Sequence, residues 1–169
     1  AAGVILHDIG KPGTFSIKER IRFDGHVELG MEIAASICKR LRFTQKQASL
    51  ITELIRHHLR FKDAMNMRLS TLKRFLNLGR FDEHLELHRL DCLASHGNLE
   101  TWNYCRKMLE EIKEPERDPP RILNGEDLKQ AGYQPGPLFK KILDMLETAQ
   151  LEGTIQTKED AFVLVYREF

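Results

Sequence analysis

The sequence lacks the features that mark disulfide-rich and membrane proteins. It has only 3 cysteines in 169 residues, and Cys38, Cys92 and Cys105 show neither a metal-ligand spacing nor that of a disulfide framework. We therefore expect buried thiols in a protein of the reducing cytoplasm. No apolar run approaches membrane-spanning length, and no repeat or low-complexity tract is present, so the pattern predicts a globular protein with neither a membrane span nor a signal peptide.

An excess of charge of one sign is also lacking. The chain has 26 Lys and Arg against 25 Asp and Glu, a formal net charge of +1, which neither demands nor excludes nucleic acid. A basic connector contains Arg56, Arg60, Lys62 and Arg74, and two interpretations stay open for it. It is either a face that contacts RNA phosphates or a solvated face balanced by the acidic stretch 110–116.

Strand patterns are nearly absent, and helical periodicity predicts an all-α chain. The exception is residues 15–23, whose alternation of apolar and charged residues is typical of a short hairpin or an irregular flap. Thr44 with Gln47 predicts a capping box at the start of a helix that runs to about Leu59. Ser70 is the expected cap of the short helix that follows.

The sequence indicates two helical parts joined by a linker. Proline and charged residues at 115–120 are typical of a linker, which places a first domain at 1–114 and a helical C-terminal segment at 121–169. Residues 1–6 resemble a buried helix that has no polar cap. We therefore expect the first domain to be N-terminally incomplete, as in a fragment of a longer protein.

His7 and Asp8 are adjacent where the first helix is expected to end, near Gly10. Neighbouring side chains in a regular helix point about 100° apart, so the pair can meet one ion only where the geometry relaxes, as at a terminus. Imidazole and carboxylate suit Mn, Mg, Ni, Co, Fe or Zn, and the ammonium of Lys11 could hold a phosphate oxygen. The alternative is a capped helix end at which His7 and Asp8 bond to each other.

Further polar side chains fall on apolar helix faces. His58 shares the apolar stripe of its helix, with His57 at the edge of that stripe, and Asp91 lies on an otherwise apolar face. A buried imidazole or carboxylate needs a partner, and a metal ion is one candidate. His26, at the start of a helix, is either a further ligand or a cap and satisfied core residue.

His84, His88 and Asp91 form a competing pattern. Their spacing of i, i+4 and i+7 places them on one stripe of a helix, which mimics half of a zinc site. The alternative, which we favour, is that His84 and His88 are partly exposed neighbours of Asp91 or contact RNA.

These motifs resemble a known family. Their order is that of the HD domain. The sequence of the motifs is similar to the C-terminal half of bacterial tRNA nucleotidyltransferases and poly(A) polymerases that carry an HD domain. The similar segments are His7-Asp8-Ile9-Gly10-Lys11-Pro12, Arg22-Phe23-Asp24-Gly25-His26, Leu54-Ile55-Arg56-His57-His58-Leu59, Leu123-Asn124-Gly125-Glu126-Asp127-Leu128 and Gly132-Tyr133-Gln134-Pro135-Gly136-Pro137.

The resemblance implies an HD-domain helical bundle followed by a small helical C-terminal segment. It implies a metal-dependent phosphohydrolase that acts on phosphomonoesters or 2′,3′-cyclic phosphodiesters of nucleotides, with tRNA as a partner. A divalent ion would polarise a phosphoryl oxygen and activate a water, and Asp8 and Lys11 would be catalytic, Lys11 by steadying negative charge. The implied metal ligands are His7, Asp8, His26, His58 and Asp91.

Two departures from the family pattern leave alternatives open. The family has a histidine some distance upstream of the His-Asp pair, and only six residues precede His7 here. The nucleotidyltransferase head, with its Gly-Ser and paired aspartates, is also absent. The chain could therefore be a catalytically silent RNA-binding module that positions tRNA for a missing head. A nucleotide-hydrolysing regulator with no RNA role is a third possibility, which the C-terminal motifs disfavour.

Overall fold

The computed structural model describes residues 2–169 and confirms the all-α prediction. No helix among these residues is both long and apolar enough to cross a bilayer. The elements in chain order are α1 (Ala2–Leu6), α2 (Lys11–Thr14), β1 (Ser16–Ile17), β2 (Ile21–Arg22), α3 (His26–Arg40), α4 (Gln45–His57), a 3-10 helix (His58–Asn66), α5 (Leu69–Leu76), α6 (Phe81–Ser95), α7 (Glu100–Glu111), α8 (Glu114–Arg117), α9 (Gly125–Gln130), α10 (Pro137–Leu151) and α11 (Lys158–Glu168).

The chain forms two compact units, each built from two separate stretches. The first unit comprises Ala1–Met65 and Arg80–Arg106, and the second comprises Asn66–Gly79 and Lys107–Phe169. The chain therefore leaves the first unit at α5 and returns to it at α6.

This division differs from the boundaries expected from the sequence. The expected linker, 115–120, lies inside the second unit, and its first residues belong to α8. Helix α5, which the sequence placed in the first domain, packs on α10. The Lys73 ammonium donates to the Leu151 carbonyl at 2.9 Å. The periodicity of one helix shows which face is apolar but not which other helix covers that face.

Helices α3 and α4 form the core of the first unit. Their facing sides bury Ala34, Cys38, Ile51 and Ile55 together with Leu6 of α1. Burial of such side chains stabilises a fold by about 1.5–3 kcal/mol each for the larger ones. The same packing fixes the end of α1, where the His-Asp pair lies, against the start of α3 and the end of α4.

Local features of the first unit follow the sequence closely. Residues 15–23 contain the expected hairpin, in which Ile17 pairs with Ile21 in an antiparallel register. The capping box is present, since the Thr44 hydroxyl accepts from the Gln47 amide and the Gln47 side chain accepts from the Thr44 amide. Helix α4 ends at His57, however, and the chain continues as a 3-10 helix.

The expected cap at Ser70 is wrong. Helix α5 begins one residue earlier, at Leu69, with Arg68 in the cap position. The amide of Ser70 donates instead to the Glu152 side chain at 2.9 Å, so this helix start is satisfied by a residue distant in sequence, which no local pattern reveals.

The core of the second unit lies between α9, α10 and α11. It is apolar throughout, and its buried members are Leu123, Leu128, Ile142, Leu146, Ile155, Ala161 and Val165. This unit therefore has its own hydrophobic core, distinct from that of α3 and α4.

A close backbone approach positions the His-Asp pair. A Cβ placed on Gly10 would lie 2.1 Å from the carbonyl oxygen of His26 and 2.7 Å from the amide nitrogen of Gly30. Backbone atoms cannot give way as a flexible side chain can, so only glycine permits this contact. The turn after α1 thereby lies directly on the first turns of α3.

Gly10→Ala tests this contact. The added methyl must push the turn away from α3, so we expect the free energy of unfolding to fall by about 3 kcal/mol, as measured by urea denaturation. Gly79→Ala is the matched control, because a Cβ there meets nothing within 4 Å. Equal stability of the two variants would show that the approach of Gly10 to α3 does not constrain the fold.

Candidate metal centre

Three imidazoles and two carboxylates meet at the end of α1, and the structure thereby brings together all five ligands expected from the sequence. Asp8 lies in the middle: its Oδ2 is 3.2 Å from Nε2 of His7, and its Oδ1 is 3.7 Å from Nε2 of His58 and 3.9 Å from Nε2 of His26. Asp91, from α6, completes the group, with Oδ1 3.4 Å from Nε2 of His7.

Backbone carbonyls orient all three imidazoles in the same way. Each Nδ1 lies next to the carbonyl oxygen three residues earlier, at 2.8 Å for His7, 2.7 Å for His26 and 2.6 Å for His58. A carbonyl can only accept, so each Nδ1 must carry the hydrogen. The Nε2 lone pair of each neutral ring therefore points into the cluster, as in histidines that bind metals.

The cluster consists of acceptors that face acceptors. The Nε2 atoms of His26 and His58 are 3.4 Å apart, and in this tautomer neither can donate to the other. Nε2 of His7 and Oδ1 of Asp8 are buried with no hydrogen-bond partner. Such an arrangement is costly without a positive species among the lone pairs. The residues therefore fit a cation.

The ligand atoms form two overlapping groups. Asp8, His26 and His58 make one, and His7, Asp8 and Asp91 make the other, with all ligand atoms of a group within 4.8 Å of one another. Nitrogen and carboxylate donors of this kind suit divalent transition metals, with Mg²⁺ less favoured by the imidazoles. Asp8, with two oxygens, is common to both groups.

Lys11 favours the ionised form of the central carboxylate. Burial alone would raise the pKa of Asp8, but the Lys11 ammonium, whose Nζ lies 2.6 Å from Oδ2, and the neighbouring imidazoles outweigh it and hold that pKa below its usual value. Burial lowers the pKa of His58, against the opposing effect of its bond to the Ile55 carbonyl. Both shifts favour the protonation states that bind a metal.

The structure distinguishes the two neighbouring histidines that the sequence left open. His58 lies in the cluster, whereas Nε2 of His57 lies 3.2 Å from a carboxylate oxygen of Glu53 on its own helix. The turn from α4 into the 3-10 helix begins between the two residues and separates their directions.

The competing stripe on α6 does not form a ligand group. His84 is only 2% exposed, so the expectation of partial exposure is wrong for it, and its ring lies 5.8 Å from that of His57. His88 stacks on Phe61 with ring centroids 4.3 Å apart. Within residues 2–169, neither joins Asp91 in a group of three ligands within mutual reach.

The four basic residues considered for RNA lie in different surroundings. Arg56 is 3.4 Å from a glutamate oxygen one turn earlier on α4, and burial lowers the pKa of Arg60. Lys62 is exposed. These three belong to the first unit, whereas Arg74 belongs to the second and donates to Glu147 at 2.8 Å.

An aromatic pair beside the centre escaped the sequence analysis. The rings of Phe15 and Phe23 are 6.0 Å apart, and the Lys11 ammonium lies 5.7 Å from the centre of the Phe23 ring. The apolar alternation of 15–23 indicated a flap, but only the fold places it against Lys11. The carbonyls that orient the imidazoles were also missed, because any residue type supplies one.

Comparisons with known proteins agree with this geometry. The family model described as HD domain matches residues 1–95. The chain is 34% identical over 172 aligned residues to the CC-adding tRNA nucleotidyltransferase of Thermus thermophilus, which covers 96% of this chain and 39% of the relative. It is 28% identical to the A-adding tRNA nucleotidyltransferase of Deinococcus radiodurans, covering 96% of this chain and 40% of the relative. The chain thus spans about two fifths of the length of these curated relatives. No solved structure matches it significantly.

The buried pair of His84 and His57 gives a prediction for stability. Burial, assisted by the charge of His57, lowers the pKa of His84 from 6.5 to about 4. Between pH 6.5 and about pH 4 the folded state therefore binds fewer protons than the unfolded state. The stability that the neutral imidazole of His84 contributes is lost as the pH falls through this range. We expect the free energy of unfolding to decrease more from pH 6.5 to pH 4 in the wild type than in His84→Gln, measured by denaturation with a chelator present. Parallel curves for the two proteins would contradict this.

Proposed function

The chain belongs to the HD domain family, and on that premise we propose that it is a metal-dependent phosphohydrolase that cleaves phosphomonoesters or 2′,3′-cyclic phosphodiesters. The observation that supports this most directly is the set of unpaired lone pairs around Asp8. Packing does not explain this partly buried cluster, since apolar side chains would fill the space at lower cost.

Some residues of the site would bind a metal ion, and Lys11 would bind the phosphate group of the substrate. A divalent cation held by His7, Asp8 and Asp91, by Asp8, His26 and His58, or by both sets would polarise a phosphoryl oxygen and lower the pKa of a bound water. The carbonyl bonds at Nδ1 keep the imidazoles aimed at the same point. Lys11 has three ammonium hydrogens, so it can keep its bond to Asp8 and still donate to a phosphate oxygen.

The substrate class is inferred from the activities of the relatives. Because they are tRNA nucleotidyltransferases, we propose that this chain works in the cytoplasm within a protein of that kind, on nucleotides or tRNA ends. Its three buried free cysteines agree with a reducing compartment.

A second candidate function is a catalytically silent module that positions tRNA. The observation in its favour is the group Arg56, Arg60 and Lys62, which lies at the end of α4 and in the 3-10 helix of the first unit. In that case Asp91→Ala would leave tRNA binding intact, whereas replacing Arg56, Arg60 and Lys62 by Gln would weaken it and reduce its dependence on salt.

Asp91→Ala is the direct test of the hydrolase. Its side chain is 44% exposed, so the change should not harm folding, but one metal ligand is lost. We expect metal content after Mn²⁺ loading to fall and hydrolysis of bis-p-nitrophenyl phosphate and 2′,3′-cyclic AMP to drop by about 10²-fold or more.

Asp82→Asn is the matched control, because Asp82 is an exposed carboxylate on the same helix and outside both ligand groups. It should retain metal and turnover. Wild-type protein that binds no metal and hydrolyses neither compound with Mn²⁺, Ni²⁺, Co²⁺ or Mg²⁺ would rule out the hydrolase for this chain.

Lys11→Gln separates phosphate handling from metal binding. The variant loses the donor for the developing charge, and we expect kcat to fall by about 10²-fold, while both ligand groups around Asp8 remain to hold the ion. Elemental analysis and steady-state kinetics check this. If kcat is unchanged at full metal loading, Lys11 has only the structural role of pairing with Asp8.

A further inference from the structure

A cleft in the second unit is lined by three arginines. Arg74, Arg117 and Arg121 border a cavity of about 200 Å³, with Asn77 and Gln150 also in its wall. Cavities that hold drug-sized ligands are usually about 300–1,000 Å³, so this one suits a single small group. No residue of the metal centre contributes to it.

Arg74 is fixed in its place in the cleft. Its Nε donates to Glu147 at 2.8 Å and its Nη2 donates to the Thr148 hydroxyl at 2.9 Å, both on α10. These bonds use two of the five hydrogens of the guanidinium. They orient the group and leave donors for a ligand.

Arg117 and Arg121 are less well satisfied. Nη1 of Arg117 donates to the Leu76 carbonyl at 3.3 Å, but its Nε is buried without a hydrogen-bond partner. Nη2 of Arg121 lies 3.6 Å from the second oxygen of Glu147, which is beyond hydrogen-bond length. The guanidinium of Arg121 is therefore held only loosely, and both Arg117 and Arg121 border the cleft.

Charge and geometry define the class of acceptor. The three guanidinium groups outnumber the two carboxylates of the wall, Glu147 and Asp118, by one. Nε of Arg74 donates to one oxygen of Glu147 at 2.8 Å, and Nη2 of Arg121 lies 3.6 Å from the other, so both guanidinium groups lie beside an oxyanion that belongs to the chain itself. Planar guanidinium forks match the oxygens of phosphate equally well and bind them at two points.

We propose that Arg74, Arg117 and Arg121 form a phosphate-binding pocket that takes one phosphate group, either of an RNA backbone or of a free phosphate. This site is separate from the hydrolase proposal and does not depend on it, and in its RNA form it extends the second candidate function to the second unit. The site acts without a metal ion, through hydrogen bonds from its guanidinium groups.

The first experiment measures binding of a fluorescently labelled single-stranded RNA to the full chain by anisotropy, with a chelator present and over a range of salt concentrations. Arg121→Gln is the main variant, since its side chain is 59% exposed and contributes little to packing. We expect its association constant to fall about tenfold, and the slope against the logarithm of salt concentration to decrease by about one.

Two further variants guard against loss of folding as an explanation. Asp118→Asn removes a negative charge from the wall and should raise the RNA affinity several-fold, a gain that unfolding cannot produce. Lys140→Gln is the matched control, because Lys140 is exposed on α10 and outside the cleft. Its affinity should change much less than that of Arg121→Gln.

A second experiment distinguishes the two sources of phosphate. If the site takes an RNA backbone, inorganic phosphate will displace RNA only weakly. If it takes a free phosphate, inorganic phosphate will raise the Tm of the wild type and leave that of Arg121→Gln unchanged. RNA binding will then not depend on Arg121. The pocket is rejected if neither ligand responds to Arg121→Gln, or if Lys140→Gln loses as much RNA affinity as Arg121→Gln. Hydrolysis of bis-p-nitrophenyl phosphate should be the same in Arg121→Gln and wild type, so failure of the hydrolase leaves this result unaffected.

Discussion

The hydrogen bond from an imidazole Nδ1 to a backbone carbonyl three residues earlier is the interaction on which the candidate metal centre depends. It occurs at His7, His26 and His58, and in each case it removes the choice of tautomer. The rings cannot satisfy one another through Nε2, because all three present a lone pair. The protein thereby maintains a partly buried group of acceptors that are mutually unfavourable in the absence of a positive charge.

The rest of the first unit supplies the rigidity that this arrangement requires. The apolar contact between α3 and α4, with Ile51 and Ile55 at its centre, fixes His58 relative to His26. Gly10 lets the end of α1 lie on the backbone of α3, which brings Asp8 among the imidazoles. A loosely packed unit would let the lone pairs move apart. The packing of the unit therefore offsets the free energy that it costs to hold these acceptors together.

Much of this site was predictable from residue types and spacing, and the reasons are particular. Asp91 and His58 stood out because each is polar on an apolar stripe, and His7 with Asp8 because the motif is specific. The prediction for His84 was wrong. Its ring contacts that of His57, and the ring of His88 stacks on Phe61, and both contacts depend on which element covers that face of α6. The same limitation applies to α5, whose partner is α10. Periodicity determines a face, whereas the covering element is set by packing over long distances in sequence.

The two charged sites of the chain differ in electrostatics, because the first gathers hydrogen-bond acceptors and the second gathers donors. In the candidate metal centre, imidazole Nε2 atoms and carboxylate oxygens face one another, and the Lys11 ammonium helps to lower the pKa of Asp8 against the effect of burial. In the arginine cleft, fixed positive charges exceed the carboxylates that offset them, and the Glu147 carboxylate occupies part of the space. A phosphate complements both, because its oxygens can bind a metal or guanidinium groups. On the two proposals, a metal ion in the first site would polarise the phosphoryl group, whereas the second site would bind a phosphate without a metal. The two proposals thus place phosphate binding by arginines and phosphate chemistry in different units of this chain, so that either proposal can fail without the other.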